Sequence, residues 1–401
     1  MKRQGSLIAL GVAAAVVAAL VWLDQRRPST EEASRQRQHI VPAFDRARAT
    51  ELEVDRRGAT TRLRHEASGW WVTSSGGLPR RRADDAAVES LLSVLEYGEI
   101  DRRITKVDAA LRTKLGLDPP RVVVRVAGHT LRIGGDDPSH GVYVLRDDDS
   151  AVLVAEHRLV ETADLDPRLW MSMRVTLREP TEARTIACSG WTLARTGGWR
   201  VTAPVITRAA DAKVDALVQS LERARAVAED ASRPPIEGGT TLALDGQPQA
   251  RLAEEKVDRA DGAQLTFRKT DLNLLYAPAA TFYERRLFPL RLDDIVAVDV
   301  GPLQLRRESA AWRIVAPLAA VRPVEDEKVR AFLEPLLTAE ARSFGAAPRP
   351  VASVAGAHAT RVRLATRDEE IVATVDGATA VRAGETVTLE LAAPLSLATS
   401  F

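Results

Sequence analysis

The series Trp71, Pro79, Asp85, Val88, Leu91, Leu92, Leu95 occurs three times in this chain of 401 residues. The second copy is Trp199, Pro204, Asp211, Val214, Leu217, Val218, Leu221. The third is Trp312, Pro317, Asp326, Val329, Phe332, Leu333, Leu336. In every copy the apolar residues stand 3, 6, 7 and 10 positions after the Asp. That spacing makes one buried face of an α-helix. Each Asp falls where an N-cap belongs. A carboxylate there accepts a bond from a free backbone N–H and favours the positive end of the helix dipole, for about 1 kcal/mol. Each Pro ends the strand before it, because it cannot extend a hydrogen-bonded ladder. Trp71, Trp199 and Trp312 then read as core wedges between sheet and helix.

Around each copy the sequence alternates as half-buried strands do. Glu51–Val54, Thr61–Arg64 and Trp70–Val72 open the first unit; Thr185–Ala187, Trp191–Leu193 and Trp199–Val201 open the second. Val296–Val300, Leu303–Leu305 and Trp312–Val315 open the third. Further strand patterns follow each helix, such as Val122–Val126, Thr241–Leu244 and Ile371–Val375. Arg168-Leu169-Trp170 and Arg286-Leu287-Phe288 look like matching closures of units one and two. The fold class expected is α+β: three tandem modules, each an antiparallel sheet with one main packed helix, over residues 44–172, 173–292 and a shortened 293–401. A repeat this long means tandem domains, not a short-repeat solenoid.

The N-terminus adds a membrane expectation. A short basic tail, residues 1–6, precedes an uncharged run from Leu7 to Leu23, long enough for about 26 Å of helix. The run ends Leu20-Val21-Trp22-Leu23, which lacks the small residues of a cleavage site. An uncleaved transmembrane anchor is expected, with a cleaved signal peptide as the alternative. Polar residues 24–43 would tether it to the body. Lys2 and Arg3 favour a body outside the cytoplasm, whereas Arg26, Arg27, Arg35 and Arg37 favour one inside. The charge count leaves both open.

Composition narrows function by exclusion. Charged residues make up 28% and the net charge is +1, which gives no overall pull toward nucleic acid. Cys188 is the single cysteine, so no intrachain disulfide or thiolate metal cage can form; it reads as a small core residue. None of the six histidines, His39, His65, His129, His140, His157 and His358, has a second ligand at metal spacing. The chain carries no nucleophile-elbow motif and no P-loop. No cofactor, metal or catalytic residue is expected.

The anchor, the repeated units, Leu115-Gly116-Leu117-Asp118-Pro119, Leu131-Arg132-Ile133-Gly134-Gly135 and Val142-Tyr143-Val144 together resemble the bacterial domain-of-unknown-function family DUF4340. The resemblance extends over nearly all of residues 44–401 and is strongest in unit one. It implies a single-pass inner-membrane protein with a periplasmic or extracytoplasmic body. It further implies association with ABC-transporter components of the gliding-motility type, a permease or ATPase among the partners. It implies no catalytic residues.

Contact candidates concentrate in unit one. Trp70 neighbours Trp71 and should face the opposite side of its strand, which makes it the best exposed contact. Arg80, Arg81 and Arg82 suit an anionic partner or a solvated loop. Gly134–Gly141, with Asp136, Asp137 and His140, suits a hairpin turn or a ligand-binding loop. Asp147-Asp148-Asp149 reads as a solvated turn. The function expected is a non-catalytic, membrane-anchored scaffold of the bacterial envelope. The alternative is a glycan- or peptidoglycan-binding module using Trp70 and the Gly134–Gly141 loop. A hydrolase with its site between modules is a third reading.

Overall fold

The computed structural model describes residues 39–74, 79–147, 149–309, 311–317, 321–345 and 359–397. The Leu7–Leu23 run lies outside the described residues. Among the described residues no helix is long and apolar enough to cross a membrane. The chain divides into two compact units at Ser172/Met173.

The first unit is built on one antiparallel sheet. Its strands are Glu51–Arg56 (β1), Ala59–Glu66 (β2), Gly69–Ser74 (β3), Arg81–Arg82 (β4), Ile100–Ile104 (β5), Val122–Val126 (β6), His129–Asp136 (β7), Gly141–Arg146 (β8) and Val152–Glu156 (β9). Their order across the sheet is β4-β3-β2-β1-β6-β7-β8-β9-β5. Helix α1, Asp85–Tyr97, connects β4 to β5, the two opposite edges. The second unit holds two more nine-stranded sheets with the same order, spanning Thr185–Thr266 and Ala297–Leu391. Their main helices are Asp211–Arg223 and Asp326–Thr338. The third sheet therefore has its full set of strands, and the expected shortening does not reach it.

Each sheet buries one face under its helix. The helical stripe predicted from spacing is the buried stripe: Val88, Leu91, Leu92 and Leu95 in the first helix, Val214, Leu217, Val218 and Leu221 in the second. Val329, Leu333 and Leu336 do the same in the third, with Phe332 partly buried beside them. Each module has one main hydrophobic cluster, and the first holds a smaller one besides, around Leu117, Leu145 and Val152. Cys188 packs in the second, where burial pushes its thiol up to about 11. The strands end before Pro204 and Pro317, as their missing N–H requires.

Several local expectations are corrected. Asp85, Asp211 and Asp326 are the first helical residues, one step inside the caps. Asp84 is the N-cap of α1, and its carboxylate accepts from the N–H groups of Ala86 and Ala87. Ala210 and Glu325 occupy the other two cap positions without a side-chain capping bond. The three Asp still lie in the first turn, where the dipole favours them. The closure of the second module is also relocated. Asp84 N–H donates to Trp170 O, and Ala210 N–H donates to Phe282 O in the same place. Phe282, not Phe288, is thus the counterpart of Trp170. Leu287 and Phe288 pack into the third core.

A second repeat is visible only in three dimensions. Arg146 donates to the carbonyl of Ile40 (3.0 Å), Arg259 to that of Arg174 (2.9 Å), and Arg382 to that of Arg286 (2.9 Å). Each arginine also pairs with a nearby carboxylate: Asp149 at 3.7 Å, Asp261 at 2.8 Å and Glu385 at 3.0 Å. One guanidinium per module thus fastens the segment that enters the module to the sheet.

Within the second unit, the loop carrying Glu385 reaches the edge strand Thr207–Arg208 of the neighbouring sheet. Glu385 accepts from Thr207 Oγ1 (2.8 Å) and from the Arg208 N–H (2.9 Å). Thr386 N–H donates to Ile206 O at 2.8 Å, and Ile206 N–H donates to Thr386 Oγ1 at 2.8 Å. Val387 enters the second core, and Arg208 pairs with Glu369. This joint binds the second and third modules edge to loop.

Candidate functional site

The outer face of the first sheet carries a groove of about 610 Å³. It crosses β3, β2, β1 and β6 and ends at the β6–β7 turn. Its floor is a ladder of outward side chains, set by the two-residue period of the strands. Glu51 faces Arg64 and Glu53 faces Arg62 across the β1–β2 pair. The ion pairs are Arg64–Glu51 (2.8 Å), Arg62–Glu53 (2.9 Å) and Arg125–Glu53 (2.6 Å). The Arg62 hydrogen bond holds the Glu53 carboxyl below its usual range against a smaller opposing effect of burial. These pairs are open to water, so each contributes little to stability.

Trp71 closes one end of the groove. Its indole is half-buried, and its Nε1 donates to Ser68 Oγ at 3.0 Å. The Arg80 guanidinium lies over the ring, 3.9 Å from the centroid, and pairs with Glu66 at 2.7 Å. A cation over an indole face is attractive through the ring quadrupole. In the other two sheets the equivalent outward position of this strand is Arg200 and Arg313. An aromatic side chain here belongs to module one alone.

Trp70 is not the exposed contact expected. It is buried in the first core, edge-to-face with His65 at 5.1 Å between ring centroids. The cause is register. Leu63 pairs with Val72 and His65 with Trp70, which puts Trp70 and Val72 on the face that Leu52 and Leu63 share. A shift of one residue turns every side chain of a strand to the other face. The repeat therefore aligns Trp70 with Trp199 and Trp312, and Trp71, read as a core wedge, is the outward one.

The three arginines separate. Arg80 is exposed and belongs to the groove. Arg81 and Arg82 are buried in β4. Arg82 donates to the Trp70 carbonyl (2.6 Å) and to Asp85 (2.7 Å). Its guanidinium lies so close to Gly69 that a Cβ there would come within 2.2 Å, and Gly69 has a φ of +108°. Arg82 is a structural clamp between strand and helix.

The Gly134–Gly141 stretch runs from the end of β7 through the turn at residues 137–140 to the start of β8, and its polar groups diverge. Asp137 is buried, bonded by the Ser139 hydroxyl and N–H and by Arg102. The Ser139 and Tyr143 bonds hold its carboxyl far below the usual range. Asp136 is exposed and lies 3.6 Å from Arg121 and 3.5 Å from His157. His140 sits exposed at a φ of +68° and donates its backbone N–H to Asp137 O. Asp147 accepts from Thr130 N–H and lies 3.1 Å from His129, as a turn would. Asp148 and His358 lie outside the described residues. Among the described residues no group of three His, Cys, Asp or Glu could hold a metal ion.

Sequence reasoning missed the Glu51–Glu53–Arg62–Arg64 ladder. Its signal was present as alternating charges on two paired strands, but only the pairing register shows that they face one another. No curated protein and no solved structure matches this chain. A family model does match: residues 70–228, from the core Trp70 of the first module to the short strand after the second helix, resemble DUF4340, a domain of unknown function.

Proposed function

We propose that this protein is a non-catalytic scaffold of the bacterial envelope that binds a partner through the outer face of its first sheet. The observation that carries this reading is the Trp71–Arg80 stack at the end of a charged groove, where the sister sheets carry Arg200 and Arg313. An indole with an arginine beside it is the composition of interface anchors. The Leu7–Leu23 run would anchor the chain in the inner membrane with the body outside the cytoplasm. The partner we propose is a transporter assembly, with a separate subunit supplying ATP hydrolysis.

The test is photo-crosslinking from position 71 in membranes, with a topology reporter fused to the C-terminus. A single reproducible partner, lost in Arg80→Ala, supports the reading. No partner from position 71, or a cytoplasmic reporter signal, ends it. A second reading, glycan binding, moves from Trp70 to Trp71, whose half-exposed ring could stack on a sugar. Retention on peptidoglycan that survives Trp71→Ala would rule out this stacking.

A further inference from the structure

We infer that Arg125, in the groove of the first module, receives a carboxylate from an acidic segment of the partner protein, in the place that Glu370 fills in the third module. This rests on the groove being the partner site, and it names the chemistry of what the groove takes. The third module shows the complete arrangement. Asp299, on the strand Ala297–Val300, lies between two arginines. Arg306 pairs with it from one side, and Arg363 donates to it from the other at 2.9 Å. Arg363 gives its second terminal nitrogen to Glu370 at 2.7 Å. The two carboxylates hold its guanidinium above its ordinary value, Glu370 being the larger cause. Two positive charges thus meet two negative ones.

The first module has the same arrangement with one member missing. Glu53 lies between Arg62 and Arg125. Register makes Arg125 the counterpart of Arg363, because Glu53 pairs with Arg125 as Asp299 pairs with Arg363. Val126 pairs with His129 and Leu364 with Ile371, which sets Gly128 in the place of Glu370. Glycine has no side chain to offer. Arg125 is exposed and gives one terminal nitrogen to Glu53 at 2.6 Å. Among the described residues no second carboxylate pairs with it. Two positive charges here meet one negative one. The planar fork of a guanidinium can take a second carboxylate at the nitrogen left over. The second module has Ala187 opposite Thr192 and Ala243, and offers no such place.

The rest of the groove favours the same sign. Its other carboxylates, Glu51 and Glu66, are already paired with Arg64 and Arg80. A basic segment would have to break these pairs, and an acidic one would not. From β6 to β3 the groove crosses four strands, about 15 Å at their usual spacing, which an extended segment of four or five residues covers. Arg125 stands at one end of that path and the Trp71–Arg80 stack at the other.

The experiment is fluorescence anisotropy with the full chain in detergent. The probe is a labelled hexapeptide of alternating glutamate and threonine, blocked at both ends so that its side chains hold the only carboxylates. A control peptide carries glutamine for glutamate. The acidic peptide should bind and the control should not. Arg125→Gln should weaken binding roughly fivefold to tenfold. Arg363→Gln should leave binding unchanged, because Glu370 already closes that guanidinium. Arg125 is exposed and Arg62 stays on Glu53, so Arg125→Gln keeps the fold, which circular dichroism checks. Equal binding by wild type and Arg125→Gln, equal binding of the two peptides, or no binding of the acidic one overturns the inference. Photo-crosslinking from position 71 separates the two readings. A partner that Arg125→Gln still captures in full overturns the carboxylate contact and leaves the groove as the partner site.

Discussion

The N–H of Gly135 donates to the carbonyl of Leu115 at 2.8 Å, and this bond joins two motifs that lie apart in the sequence. Leu115-Gly116-Leu117 crosses β7 where Gly134 leaves room for it. A Cβ on Gly134 would come within 2.4 Å of the Leu115 carbonyl oxygen. Gly134 serves packing, and Gly135 supplies the N–H of this bond. Gly134→Ala should destabilise the first unit by about 1–3 kcal/mol through overpacking. Urea unfolding followed by Trp fluorescence measures it, and an unchanged midpoint would falsify the packing role.

The neighbouring tryptophans should differ sharply. Trp70→Ala empties a core site and should cost about 3–5 kcal/mol. Trp71→Ala removes a half-buried groove residue and should cost about 1 kcal/mol or less. Paired denaturation curves decide the matter; equal losses would mean that the strand register is wrong.

Arg382 and Glu385 form a buried ion pair that also holds the second and third modules together. Removing one partner leaves an uncompensated buried charge. Arg382→Ala should cost about 3–5 kcal/mol. Calorimetry should also show the second unit losing its single transition. Persistence of one transition at the wild-type temperature would count against the joint.

Acid should weaken the fold in a defined window. Burial alone would raise the Asp164 carboxyl, but bonds from Arg56 and Arg121 outweigh it and hold it below the usual range. Asp299 behaves alike between Arg306 and Arg363, and Asp137 is lowered by Ser139 and Tyr143. A carboxyl lowered in the folded state stabilises above its unfolded pKa, near 4, and this is lost as pH falls through the folded value. Stability should therefore hold from neutrality to about pH 4–5 and decline below it. Asp164→Asn should flatten that decline; an unchanged acid limb would show that the arginine pairs do not set it.

The local sequence was enough for the three helical stripes, most strands, and Pro204 and Pro317, which end two of them. Those features depend on neighbours three or four residues away in a helix, or two in a strand. It was not enough for the site. Nothing within the string Trp70-Trp71-Val72 says which indole faces the core; pairing with Leu63 and His65 says so. Nor does Arg146, Arg259 or Arg382 stand out in the chain. Arg146 meets a carbonyl 106 residues away, Arg259 one 85 away and Arg382 one 96 away. Local patterning alone sets a threefold α+β repeat and the buried face of each main helix. Register and long-range contacts set the outward face of the first sheet and the arginine fastening of each module. These are properties of register and of long-range pairing, and a shift of one residue would have reversed them.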